Sequence, residues 1–271
     1  MSGQVHYRRF DTADRVLHGC LMVSFLGLAL TGIPLVFSHE RWAAALFALG
    51  NFKVASTLHR VFASLLILTF AAHLYRILDR VFVRKDYGVL WGPRSMVPQP
   101  RDLKEMVQHV RWFFGLGPRP LFDHFTYWEK FDYWAVFWGM GIIGGSGLML
   151  WLPRLFARVL PGWAFNVATL VHGEEALLAV VFIFTVHFFN GHLRPEKLPM
   201  DTVIFTGSVS EEELQDERPG EWERLRAEGA LEALRTEPPP RRLLLLGRTV
   251  GTIAVGIGLV MVVLTISALI R

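Results

Sequence analysis

Cysteine is nearly missing from this chain: Cys20 is the single one in 271 residues. That excludes an internal disulfide framework, a tetrathiolate cluster and a CxxCH attachment site for a c-type haem. A redox centre carried by the chain must therefore draw on other ligands. Charge is scarce as well. Charged residues make up 19% and hydrophobic ones 52%, with a mean hydropathy of +0.35, which argues against a water-soluble single core. There is no repeat of fixed period and no low-complexity tract, and no nucleic-acid partner is expected. What the chain does have is five apolar blocks of about 20 residues, each long enough to cross roughly 30 Å of hydrocarbon. The expected class is all-α, as a multi-pass membrane protein in contact with lipid.

The first expected span runs from about Leu17 to Phe37 behind a short basic arm with Arg8, Arg9 and Arg15. It begins too late and runs too long for a cleaved signal peptide. The second, Val54 to Leu78, carries Arg60 and Arg76 near its ends, where long side chains can snorkel outward. The third, Tyr133 to Leu152, is closed by Pro153, and the fourth, Ala164 to Phe189, follows after a short connection. These two are expected to be antiparallel neighbours. Residues 208–242 read as a cytoplasmic helical segment with sign-alternating, solvated charges and a capping box from Ser210 to Glu213. A fifth span occupies residues 243–271, with its apolar run from Thr249 to Ile270. Between the second and third spans, Leu103 to Phe114 reads as an interfacial amphipathic helix.

Most Lys and Arg fall in the N-terminal arm, between Arg76 and Lys130, and between Arg194 and Arg248, whereas connections 38–53 and 154–163 hold two each. The positive-inside rule then predicts a cytoplasmic N-terminus and an outer C-terminus.

Five histidines, His18, His59, His73, His172 and His187, fall inside expected spans, where ionisable residues are rare and are functional candidates by default. With alternating span directions His59 and His172 lie near the outer face, and His18, His73 and His187 near the inner one. His172 and His187 are about 22 Å apart along a helix and close to one face. Two neutral imidazoles on facing helices can clamp a porphyrin edge-on without any thiol. Two such layers would form an electron path across a bilayer. The outer pair is most simply His59 with His172, while the inner layer offers three histidines for two iron positions. Gly139, Gly141, Gly144, Gly145 and Gly147 in the third span would let a flat macrocycle or a helix approach closely. Layered histidines also occur in another class, a histidine-lined metal-ion or proton transporter. Transporters usually add midplane carboxylates, and here Glu174 and Glu175 sit near a span end.

The run Asp14-Arg15-Val16-Leu17-His18, continuing through Leu28-Ala29-Leu30-Thr31-Gly32, resembles the first helix of cytochrome b subunits of formate dehydrogenase and thiosulfate reductase, within the bacterial cytochrome b561 superfamily. Leu58-His59, Val171-His172 and Val186-His187 match the same pattern, over roughly residues 7 to 207. The resemblance implies a four-helix haem-binding bundle, residues 1–207, with the fifth helix packed outside it. It implies two haem b groups, one on His59 and His172 and one on His18 and His187. A third haem would require His73 or His192, and those two are otherwise expected to contact quinone, a propionate or the loop. The implied role is a respiratory-complex subunit in the bacterial inner membrane, transferring electrons between quinone or quinol and a redox partner on the outer, periplasmic face. The segment Phe188-Phe189-Asn190-Gly191-His192-Leu193-Arg194-Pro195-Glu196-Lys197 resembles a subgroup with multihaem c-type cytochrome partners, the alternative partner being an iron–sulfur subunit.

Quinone chemistry needs a proton-exchanging group near a haem edge. On the inner side the candidates are His73, Lys130, Asp132 and Tyr133; on the outer side they are His39, Glu174 and Glu175. His192, five positions past His187, is most simply a residue that orders the loop. Arg15, Arg60 and Arg76 are candidates for pairing with haem propionates, since Arg binds carboxylate bidentately.

Overall fold

The computed structural model describes residues 5–48, 51–198 and 200–270. Among them, five helical runs are long and apolar enough to cross a membrane: Thr12–Val36, Asn51–Val83, Tyr127–Trp151, Trp163–Leu193 and Arg241–Leu269. These are the makings of a multi-pass membrane protein. Each begins or ends several residues outside the apolar block that signals it, because polar residues at helix ends still form helical hydrogen bonds. Arg271 lies outside the described residues. Three runs depart from regular α geometry, the second span ending in a π turn at Asp79–Val83. The third passes through a π turn at Met140–Gly144, and the fourth through two, Ile183–His187 and Phe189–Leu193.

The chain divides into two compact units that do not follow sequence order. The first comprises residues 1–15, 73–135 and 202–244. Its N-terminal arm is not loose, for His6–Arg8 is the central strand of a small antiparallel sheet. Tyr7 pairs with Val209 on one side and with Arg235 on the other. Strands this short and this far apart in sequence carry no hairpin signal, which is why an all-helical reading passes over them. Gly207, at φ +78°, turns the chain into the strand Ser208–Ser210, and its carbonyl accepts from Arg9 and Phe10.

Residues 208–242 also differ from a single solvated helix. Pro219 and Gly229 interrupt the run, leaving Glu211–Glu217, Pro219–Ala227 and Leu231–Leu234. The Ser210 cap is present, its hydroxyl accepting from Glu213 N at 3.3 Å. Glu217, Arg218 and Glu221 are buried rather than solvated. Arg218 and Glu221 are buried because they are paired: Arg218 meets Glu129 at 2.8 Å, and Glu221 meets Arg9 at 3.0 Å and also His124. Burial by itself would raise the Glu221 carboxyl, but the His124 hydrogen bond and the Arg9 charge bring it down to about 2.

The helix Pro100–Phe113 belongs to this unit, with Pro100 in its first turn and Asp102 closing a capping box onto Gln99. It lies across the start of the third span. That span is itself capped by Thr126 and Glu129, a T-x-x-E box with Thr126 N 2.8 Å from Glu129 Oε2.

The second unit comprises residues 16–72, 136–201 and 245–271. Its core joins the first, fourth and fifth spans through Ala29, Ile33, Phe37, Val180, Phe184, Phe188, Ala254 and Met261. Phe184 packs on Gly258 so closely that a Cβ there would fall 2.4 Å from its ring.

Candidate functional site

The second unit brings His59 and His172 together. Their ring centroids are 6.3 Å apart with the planes 78° to one another. Each ring is fixed through its Nδ1. The Thr31 hydroxyl donates to Gly27 O at 2.7 Å and so presents a lone pair to His59 Nδ1, 2.9 Å away. His172 Nδ1 donates to Ile143 O at 3.0 Å, with Ser146 Oγ at 3.4 Å. A neutral imidazole that donates from Nδ1 keeps a bare lone pair on Nε2, the tautomer that ligates metals.

Two glycines make room for these rings. A Cβ on Gly147 would sit 2.9 Å from His172 Cε1, and one on Gly32 would sit 3.1 Å from His59 Cε1. Beside Gly141 and Gly145 nothing lies within 4 Å. A metal–imidazole bond is about 2 Å long and a ring nitrogen lies about 1 Å from its centroid, so two axial imidazoles on one ion place their centroids about 6 Å apart. The observed separation fits that requirement.

The inner histidines divide. His187 and His192 both lie within electrostatic reach of His18, and of one another. Five residues of α-helix would leave His187 and His192 about 140° apart. The wider π turns, closed by i to i+5 bonds, return them to nearly one face. His192 is thus part of the helical run, in contrast to the loop position expected from sequence. Phe188 packs between the two, its ring centroid 6.3 Å from His187 and 5.9 Å from His192. His73 sits in the first unit, where its Nε2 is 2.9 Å from Tyr133 Oη. Asp14 and Arg76 are its charged neighbours.

The remaining sequence candidates fall as follows. Lys130 is 1% exposed, its Nζ held bidentately by Asp102 at 2.8 and 2.9 Å. Asp132 is half-buried beside Tyr133. Arg76 bridges Asp11 and Asp14 at 2.9 and 3.1 Å, and Arg15 donates to Phe205 O at 2.8 Å. Arg60 lies 5.9 Å over the Trp151 ring. Glu175 accepts from Trp138 Nε1 at 3.2 Å, and His39 is 3.7 Å from Glu40. Among the described residues no group of three or more His, Cys, Asp or Glu could hold a metal ion.

Sequence reasoning missed the residues that orient the two imidazoles. Thr31 and Gly32 belong to the Leu28–Gly32 run of the first span, which by itself signals no part in holding an imidazole. The Ile143 carbonyl, within the π turn at Met140–Gly144, leaves no sequence signal beyond the cluster of glycines. No protein-family model matches the chain, and no curated protein matches it as a relative.

Proposed function

We propose that this chain is a membrane b-type cytochrome of the b561 type, the quinone-linked subunit of a respiratory complex in a bacterial inner membrane. The observation that carries the proposal is the His59–His172 pair: a 6.3 Å centroid separation, with both Nδ1 atoms engaged by protein oxygen. In this proposal His59 and His172 hold one haem and His18 with His187 a second. Haem iron, when bound, supplies one-electron transfer without a change of ligands. Thr31 and Ile143 hold the outer imidazoles in the ligating tautomer. His73 and Tyr133, joined at 2.9 Å, exchange protons with a quinone or quinol oxygen. The redox partner docks on the outer face, and the N-terminus is cytoplasmic.

The test is a reduced-minus-oxidised optical spectrum of the purified chain. A b-type α band at two haems per chain is expected. A histidine-lined transporter would show no such band, and that result would overturn the proposal.

A further inference from the structure

We infer that the outer side of the helix Pro100–Phe113 is a binding site for one anionic phospholipid. The helix has three stripes. Asp102 and Glu105 face inward and are buried. Leu103, Val107 and Val110, at helical spacing, are 61%, 50% and 49% exposed. Between these stripes run Lys104, Gln108 and Arg111, also at helical spacing.

The chain after the helix folds back along it. Gly115 adopts φ +69°, Leu116 N donates to Arg111 O at 2.8 Å, and Arg111 Nη2 reaches Leu116 O at 3.4 Å. This closes a shallow groove lined by Leu103, Lys104, Val107, Gln108, Arg111 and Leu116. Its one wall is cationic and its other wall apolar. Arg101, on the same helix, is paired with Glu105 and Asp123. Lys104 and Arg111, in contrast, have no acidic partner among the described residues.

The occupant follows from that combination. The helix lies in the chain between two runs long and apolar enough to cross a membrane, one ending at Val83 and the next starting at Tyr127. It is thereby tethered at both ends to the bilayer surface. Phe113 and Phe114, 70% and 76% exposed, extend the apolar stripe. A phosphodiester would accept hydrogen bonds from Lys104 and Arg111 while the upper acyl carbons cover Leu103, Val107 and Leu116. A free phosphate leaves the apolar wall uncovered. A zwitterionic headgroup brings a positive charge against two others.

The experiment is native mass spectrometry of the delipidated, full-length chain, titrated in turn with short-chain phosphatidylglycerol, phosphatidylcholine of the same chain length, and glycerol phosphate. One phosphatidylglycerol should bind in preference to the other two. Removing both cations, Lys104→Gln with Arg111→Gln, should weaken it about thirtyfold, and Lys104→Gln alone, which leaves the Arg111–Leu116 contact intact, about fivefold. Val107→Ser with Leu116→Ser should weaken phosphatidylglycerol and leave glycerol phosphate unchanged. Equal binding of phosphatidylglycerol and phosphatidylcholine would overturn the inference. So would glycerol phosphate binding as tightly as the lipid, or phosphatidylglycerol affinity unmoved in Lys104→Gln.

Discussion

The imidazole of His59 faces that of His172 at 6.3 Å between centroids, and each ring turns its Nδ1 away toward an oxygen of another span. Two further helices contribute the oxygens that hold the two rings. The Thr31 hydroxyl comes from the first span, and the Ile143 carbonyl from the third at its π turn. In the proposed function the pair ligates one iron, since bis-histidine ligation of iron in a porphyrin needs only two imidazoles.

The orienting oxygens should matter nearly as much as the ligands. Thr31→Val removes the acceptor on His59 Nδ1 without changing side-chain volume greatly. Loss of such a partner typically costs 10- to 100-fold in metal affinity. Haem titration of the purified variant should show weakened binding at one site, with the other unchanged. Equal affinity at both sites would separate Thr31 from ligation.

Gly147→Ala tests the fit from the opposite side. Its Cβ would lie 2.9 Å from His172 Cε1, closer than side-chain carbons pack, so the ring must move. The variant should fold, because the three atoms nearest that Cβ all belong to the His172 ring, but should lose haem from the same site as His172→Ala. Gly141→Ala, where nothing lies within 4 Å, should be milder in the absence of ligand, and comparison of their haem contents checks both.

His73 and Tyr133 are assigned to proton exchange and not to ligation. His73→Ala should therefore retain two haems while slowing quinone turnover, and Tyr133→Phe should slow turnover by a smaller factor. His18→Ala should lose one haem. Haem loss on changing His73 with full retention on changing His18 would reverse the assignment.

Lys130 and Asp102 form a buried bidentate pair, so their substitution should register in stability before it registers in quinone chemistry. Lys130→Met leaves the Asp102 carboxylate buried without its partner, at a cost of about 3–5 kcal/mol. Adding Asp102→Leu should restore much of that loss. Thermal unfolding of the two variants measures the difference; a fully stable Lys130→Met with impaired quinone turnover would instead return Lys130 to the quinone site.

Two buried carboxylates of the first unit should pull stability in opposite directions with pH. Glu221 is held at about 2, below its ordinary 4.5, so its contribution is present above pH 4.5 and is lost as pH falls toward 2. Burial pushes Glu105 up to about 6 despite Arg101 beside it, so its contribution is complete below 4.5 and is lost as pH rises through 6. Glu221→Gln should destabilise at neutral pH and flatten the acid limb. Glu105→Gln should stabilise at neutral pH. Denaturation at pH 4, 6 and 8 reads both signs.

The spans and their histidines were legible because a bilayer imposes a simple rule, about 20 apolar residues, against which an intramembrane imidazole stands out. The partner of each histidine was less legible. His192 was expected in a loop because it lies just past the fourth apolar block, which ends at Phe189; the helical run instead continues through the π turns Ile183–His187 and Phe189–Leu193. A π turn depends on how a helix packs and has no composition of its own. The sheet built on His6–Arg8 was likewise hidden, because its strands meet across some 200 residues of chain. Its neighbouring charges read as solvated from their alternation, yet Glu221 and Arg218 are buried by pairing with residues whose proximity only the fold creates.

The most direct measurement of the central claim is haem stoichiometry in four purified chains: wild type, His59→Ala, His172→Ala and the double variant. If the two imidazoles share one iron, each single variant carries one haem fewer than wild type, and the double variant loses no more than either single. Full haem content in either single variant, or loss of two haems in the double, would contradict the pairing.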